Sequence, residues 1–252
     1  MEIMNEMKIS IDGEVSDYKG YLCKTENEAI SLVHVRLIEE LTGFKVEYIN
    51  KHNLNIVTEE ETMDLLVGKT IAIDEGHGGK DAGAVDEIEE SKGDYIRTLE
   101  KTLNDKVGNK VIDKLKKLGA KLVITRKNDE TVSLKARTDL ANKERADIFV
   151  SIHFNAGSSQ ANGIETFKYR NTINPISHKL AENVHKQLIE ATNFTDRGVK
   201  TSGFYVIRYT NMPAILVELG FITNTEEEKI INTDEFQEKV AHAIVVGILD
   251  TI

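Results

Sequence analysis

His77 lies in Asp74-Glu75-Gly76-His77-Gly78-Gly79-Lys80-Asp81-Ala82-Gly83-Ala84, an imidazole between glycines just past the apolar run 70–74. Glycines there let the backbone turn sharply and leave room around the ring. A second imidazole, His153, follows the apolar run 147–152 in Ser151-Ile152-His153-Phe154-Asn155-Ala156. Two imidazoles at neighbouring strand ends are a start for zinc binding, and a catalytic zinc wants a third protein ligand and an open position. Glu100 is the best candidate on geometry. It opens a helical pattern, one turn ahead of Asn104 and on the face of Leu103 and Val107, and a carboxylate there is favoured in its ionised form. The fourth residue is Glu218, a single acid in the apolar run Leu216-Val217-Glu218-Leu219-Gly220-Phe221. A carboxylate in that setting is costly without a purpose or partner. Beside zinc it can take a proton from activated water and pass it to a leaving nitrogen, which is amide hydrolysis. Asn155 is a candidate substrate contact, with orientation of His153 as the alternative.

Such residues need a scaffold that brings distant segments to one edge. Runs at 70–74, 121–125, 147–152, 163–169 and 214–217 read as strands, and helical patterns occupy 99–118, 133–144, 176–191 and 236–249. In 99–118, Leu103, Val107, Val111, Leu115 and Leu118 share one side, and Gly119 ends the helix. Near-continuous apolar strands alternating with helices predict an α/β fold, a mainly parallel central sheet with helices on both faces. Ligands of such a sheet sit outside the carboxyl ends of its strands, where His77, His153 and Glu218 fall.

The first 67 residues read differently. A short strand at 8–13, a helix at 28–41 carrying Ile30, Val33, Leu37 and Leu41, and a hairpin from 45–48 and 54–57 predict a small α+β domain. The charged segment 58–64 is the expected linker, so the expected division is 1–67 and 68–252.

The chain has 252 residues, 32 basic and 42 acidic, for a net charge of −10. That balance argues against a nucleic-acid binder. The single cysteine, Cys23, leaves metal binding to His and carboxylate. Neither a signal peptide nor eighteen consecutive apolar residues are present, so the expectation is synthesis and retention in the cytoplasm, no membrane insertion and a monomer.

Residues 68–252 resemble the zinc N-acetylmuramoyl-L-alanine amidases of the type 3 family. The carrying motifs, in family order, are GHGGKDAGA, EKTLN, TRKNDETVSLKARTDLAN, ADIFVSIHFNA, GIETFKY, GVKTSGFYVIR and MPAILVELGFITN. The resemblance implies one zinc held by His77, Glu100 and His153, catalytic Glu218, and hydrolysis of the amide between the muramic acid lactyl group and L-alanine in peptidoglycan. Glu87, Glu89 and Glu90 are rival carboxylates in the short acidic stretch after Val85, but EKTLN matches the family pattern and favours Glu100. Ala82 stands where the family often has proline. The stretch is too short for the autoinhibitory helix of some secreted relatives. Residues 1–67 resemble, more weakly, the small N-terminal domain of copper amine oxidases; by analogy it binds wall polymer or supports the enzyme.

Together these readings describe a lysin, of phage endolysin type ahead of a sporulation enzyme, acting on the wall after release. The competing readings are a zinc peptidase cutting within the stem peptide or cross-bridge, and an inactive wall-binding protein. Arg126 and Arg137 are read as salt-bridging anchors of loops, Asn104 as a supporting or helix-terminal group, and His34, His52, His178, His185 and His242 as surface or core residues.

Overall fold

The computed structural model describes the backbone of residues 2–11, 14–24, 45–50, 53–57, 64–91 and 94–252, and side chains within 65–86 and 97–252. The chain divides into two compact units, Met1–Leu65 with the short segment Lys117–Gly119, and Leu66–Lys116 with Ala120–Ile252.

In the first unit, β1 (Glu2–Ile11), β2 (Glu14–Lys24), β3 (Lys45–Asn50) and β4 (Asn53–Val57) form a sheet of order β2-β1-β4-β3. The expected hairpin is β3–β4, antiparallel; β1 is longer than the expected short strand and pairs antiparallel with β2, a strand that was not anticipated. The expected helix 28–41, and with it His34, lies outside the described residues, as do His52 and most of the linker.

The second unit is built on six strands, β5 (Thr70–Glu75), β8 (Lys121–Ile124), β9 (Ile148–Asn155), β10 (Ile164–Tyr169), β11 (Asp196–Ser202) and β12 (Ala214–Phe221). Their order is β11-β10-β12-β9-β5-β8. The pairs β12–β9, β9–β5 and β5–β8 are parallel, whereas β10 runs antiparallel to β12 and carries β11 parallel to itself. The sheet is therefore mainly parallel, as expected, with one reversal. Strands β9 and β12 also run past the expected ends, so His153 and Glu218 lie within them.

Helices α1 (Glu100–Lys117), α2 (Leu134–Lys143), α3 (Pro175–Thr192) and α6 (Asp234–Leu249) are those expected; the short α4 (Tyr205–Arg208) and α5 (Thr225–Ile231) are additions. Ala141 of α2 and Val206 and Ile207 of α4 pack on the face formed by Ala72, Val123, Phe149 and Leu216. On the alternate positions, Ile71, Ile73, Ile148, Val150 and Val217 are fully buried. Gly108 of α1 lies against Glu75, and α3 packs on β10, β12 and α6. Burying both faces is what near-continuous apolar strands require. The acidic stretch after Ala84 forms a separate two-stranded hairpin, β6 (Val85–Ser91) and β7 (Asp94–Leu99), rather than a helix.

Candidate active site

His77 leaves β5 at the carboxyl edge of the sheet with φ 63, a left-handed backbone that costs a residue with a Cβ roughly 1–2 kcal/mol. Buried neighbours hold it there. Arg137, only 2% exposed, donates from Nη2 to the His77 carbonyl (2.6 Å), from Nη1 to the Glu75 carbonyl (2.6 Å) and to Asp74 (2.9 Å), and from Nε to the Val132 carbonyl (3.1 Å). Arg126 pairs with Glu75 and Asp105, and Asn104, fully buried, donates to the Gly76 carbonyl (3.0 Å). The two arginines thus anchor the loop, as expected, and Asn104 supports it from helix α1.

The hairpin β6–β7 begins after Ala84 and ends at Leu99, so it delivers Glu100, the first residue of α1, back to the glycine loop. Glu100, 4% exposed, places Oε2 3.1 Å from His77 Nε2 and accepts from the Ala84 amide (2.8 Å). Its Oε1 lies 2.8 Å from His153 Nδ1. The His77 Nδ1 edge faces Asp81 Oδ2 at 2.9 Å, which fixes the ring and leaves Nε2 to the cluster. One donor atom from each of His77, Glu100 and His153 falls within 4.8 Å of the others, and these are the only three-residue His/Cys/Asp/Glu group of that kind among the described residues. The side chains of Glu87, Glu89 and Glu90 lie outside the described residues. A Cβ on Gly76 would sit 2.2 Å from His153 Cε1, and one on Gly83 2.4 Å from Glu100 Oε2, so both glycines clear space for the cluster.

Burial raises the Glu100 pKa, but hydrogen bonds to His153 and His77 outweigh it and hold the carboxylate well below its usual range. Burial opposes protonation of His77, and Glu100 and Asp81 overcome it, raising its pKa. Glu218 pairs in register with His153 on β9 and with Glu165 on β10. Its Oε2 is sealed from solvent without a hydrogen-bond partner, and burial, then the charges of Glu100 and Glu165, push its pKa well above the carboxylate range.

Asn155 donates from Nδ2 to Glu165 Oε1 (2.8 Å), and its Oδ1 accepts from the Ala156 amide. Neither bond reaches His153. Glu165, 6% exposed, was not singled out from sequence; it also accepts from Arg197 Nε (2.8 Å) and Lys200 Nζ. His185 is buried between Thr166 and Asp196, His178 is an exposed partner of Glu182, and His242 is half-buried; none joins the cluster.

Two imidazoles and a carboxylate converging at the carboxyl edge of a mainly parallel sheet, with a half-buried carboxyl in the next strand that has one oxygen sealed, suit metal-assisted hydrolysis. The sequence profile of the N-acetylmuramoyl-L-alanine amidase family matches residues 71–250, and the chain belongs to that family. It is 44% identical over 181 residues to the uncharacterized protein YqiI of Bacillus subtilis, covering 72% of this chain and 84% of that protein. To the N-acetylmuramoyl-L-alanine amidase LytC of the same organism it is 41% identical over 184 residues, covering 72% of this chain and 35% of LytC. Among solved structures, the catalytic domain of the amidase CwlV from Bacillus (Paenibacillus) polymyxa var. colistinus superimposes with a TM-score of 0.65 at 40% identity, covering 73% of this chain and 99% of that one.

Proposed function

We propose that this protein hydrolyses the amide between the muramic acid lactyl group and L-alanine of peptidoglycan, with zinc held by His77, Glu100 and His153 and proton transfer by Glu218. The observation that carries the reading is the sealed, unpartnered Oε2 of Glu218 in the strand beside the His-Glu-His cluster. An orphaned buried carboxyl oxygen costs about 1–3 kcal/mol or more, a penalty that fits a group whose partner arrives with the reactants. The donor set, two nitrogens and one oxygen, is one that zinc accepts with a position left open. Zinc bound there lowers the pKa of water and polarises a carbonyl.

Glu218 accepts a proton at its carboxylate from the attacking water and returns one to the leaving L-alanine nitrogen. The C–N bond breaks, water supplies OH to the lactyl carbonyl and H to the amine, and no other reactant is needed. Asn155, which bonds the Glu165 that faces Glu218 across the strands, is read as a substrate contact. The expected N-terminal domain, residues 1–67, is read as holding wall polymer or supporting a monomeric enzyme, and the whole as a lysin.

Mass spectrometry of digested Gram-positive wall tests the proposal. Released stem peptides with new L-alanine amino termini, and intact glycan strands bearing free lactyl carboxyls, are expected; both should be lost after chelation and restored by zinc. Cleavage inside the stem peptide or cross-bridge, or full lysis after metal removal, overturns it.

A further inference from the structure

Across the carboxyl edge of the sheet, His153 on β9, Glu218 on β12 and Glu165 on β10 stand in register, so their side chains project from one face. The row ends in two cations from β11. Arg197 and Lys200 both bond Glu165 Oε2, while the other oxygen of Glu165 is taken by Asn155. Arg197 also stacks over Phe221, 4.8 Å from its centroid, and donates from Nη1 to the Asn162 carbonyl (3.2 Å), so its position is fixed from three sides. Glu227, on the amides of Gly163 and Phe221, is a second carboxylate near Arg197, so the two cations are balanced in charge but keep donors that Glu165 does not use. Both cations are partly open, with side chains 33% and 39% exposed.

This arrangement bears on which way the substrate lies. Once the lactyl carboxyl is in amide linkage, the amino-sugar chain has no carboxylate, whereas the stem peptide carries them beyond L-alanine. Adjacent strands are about 4.8 Å apart, so the cations gathered at Glu165 stand roughly one strand from Glu218 and two from His153. A carboxylate on the residue after L-alanine lies about two extended peptide steps from the scissile carbonyl, roughly 7 Å, which falls inside that span.

Resting on the amidase reading, we infer that Arg197 and Lys200 bind the free carboxylate of the second stem-peptide residue. The leaving peptide then lies over β10 and β11, and the glycan lies on the opposite side of Glu218. Glu165 is a positioning residue that holds the two cations, and Asn155 in turn holds Glu165. The site is specificity-determining: it favours stem peptides with a free acid over those with a carboxamide at that position.

The test has a binding arm and a turnover arm. Released stem peptide, as free acid and as carboxamide at residue two, is titrated by calorimetry into the full-length protein and into Lys200→Gln and Arg197→Met. About tenfold tighter binding of the acid is expected for the unaltered protein, with the preference falling toward unity in both variants, because a charge-assisted bond at a half-open site is of that order. Circular dichroism establishes that each variant is folded. Arg197→Met risks its stacking on Phe221, so the more exposed Lys200→Gln decides if Arg197→Met unfolds. In the turnover arm, muramyl peptides with the acid or the carboxamide are compared, and the preference is expected mainly in KM. Equal binding of acid and carboxamide, or a preference that survives Lys200→Gln, overturns the assignment. Absence of lactyl-amide cleavage in both substrates instead refutes the amidase reading, and the binding arm still decides for or against the carboxylate site.

Discussion

Replacing Arg137 with methionine tests whether the loop that presents His77 is held in place by one buried guanidinium. Arg137 and Asp74 are 2% and 1% exposed, and Arg137 is also the donor to the carbonyls of Glu75, His77 and Val132. Removing one member of a buried ion pair costs about 3–5 kcal/mol, because the other charge stays behind uncompensated. The lower end is expected, since Asp74 keeps bonds from Thr125 and Ser151. For a unit of this size, with melting shifts of about 2–4 °C per kcal/mol, a loss of about 3 kcal/mol should lower Tm by roughly 6–12 °C. The His77 carbonyl also loses the contact that holds its left-handed backbone, so zinc affinity should drop on the order of tenfold, as for other groups that orient a ligand. Arg137→Lys keeps the charge opposite Asp74 but cannot span three carbonyls, so it should fall between. Scanning calorimetry and zinc titration by competition with a chromophoric chelator give both numbers. A Tm within 2 °C of the parent together with unchanged zinc affinity in Arg137→Met would refute the anchoring argument.

Glu218→Gln should bind zinc as the parent does and lose roughly 10²–10⁴ in turnover of wall substrate; retained turnover removes Glu218 from proton transfer. Gly83→Ala places a methyl 2.4 Å from Glu100 Oε2 at φ 67, so zinc titration should show weakened binding, and unaltered affinity would mean the cluster yields more than its packing suggests. Burial raises the Glu228 pKa, with Thr98 opposing and Asp86 adding, so the native state holds its proton better than the unfolded chain. Stability should therefore fall as pH rises from the ordinary carboxylate value through the raised one, and Glu228→Gln should flatten that decline in urea melts between pH 4 and 8. Deleting residues 1–67 should leave a folded unit with weaker retention on purified wall, measured by co-sedimentation; undiminished retention would make the first unit a support.

The chemistry at the carboxyl edge was legible because its residues are out of keeping with their surroundings. An imidazole among glycines, and a lone acid in Leu216-Val217-Glu218-Leu219, cost too much to be neutral features of a strand end. The mainly parallel sheet was legible for a related reason, since near-continuous apolar runs must be covered on both faces. What escaped was polar or very short. β11, Asp196-Arg197-Gly198-Val199-Lys200-Thr201-Ser202, is an edge strand with one aliphatic side chain, so no period-2 apolar signal marks it. α4 has four residues, about one turn, which is too few for a helical period.

The reversal of β10 is a different case, because its signal was present. Only residues 156–163 separate β9 from β10, and a parallel crossover needs a dozen or more. Antiparallel direction was therefore implied by the loop length alone. That direction matters for the site, since it brings the start of β10 to the same edge as the ends of β9 and β12 and sets Glu165 opposite Glu218. Glu165 carries the same incongruity as Glu218, an acid in Ile164-Glu165-Thr166-Phe167, but its meaning depends on register. A slip of one residue in β10 would turn Glu165 to the other face and leave Arg197 and Lys200 without the anion that gathers them. The identity of the His-Glu-His cluster is thus a matter of local motif, while the charged groups beside it are gathered only when four strands have found their register.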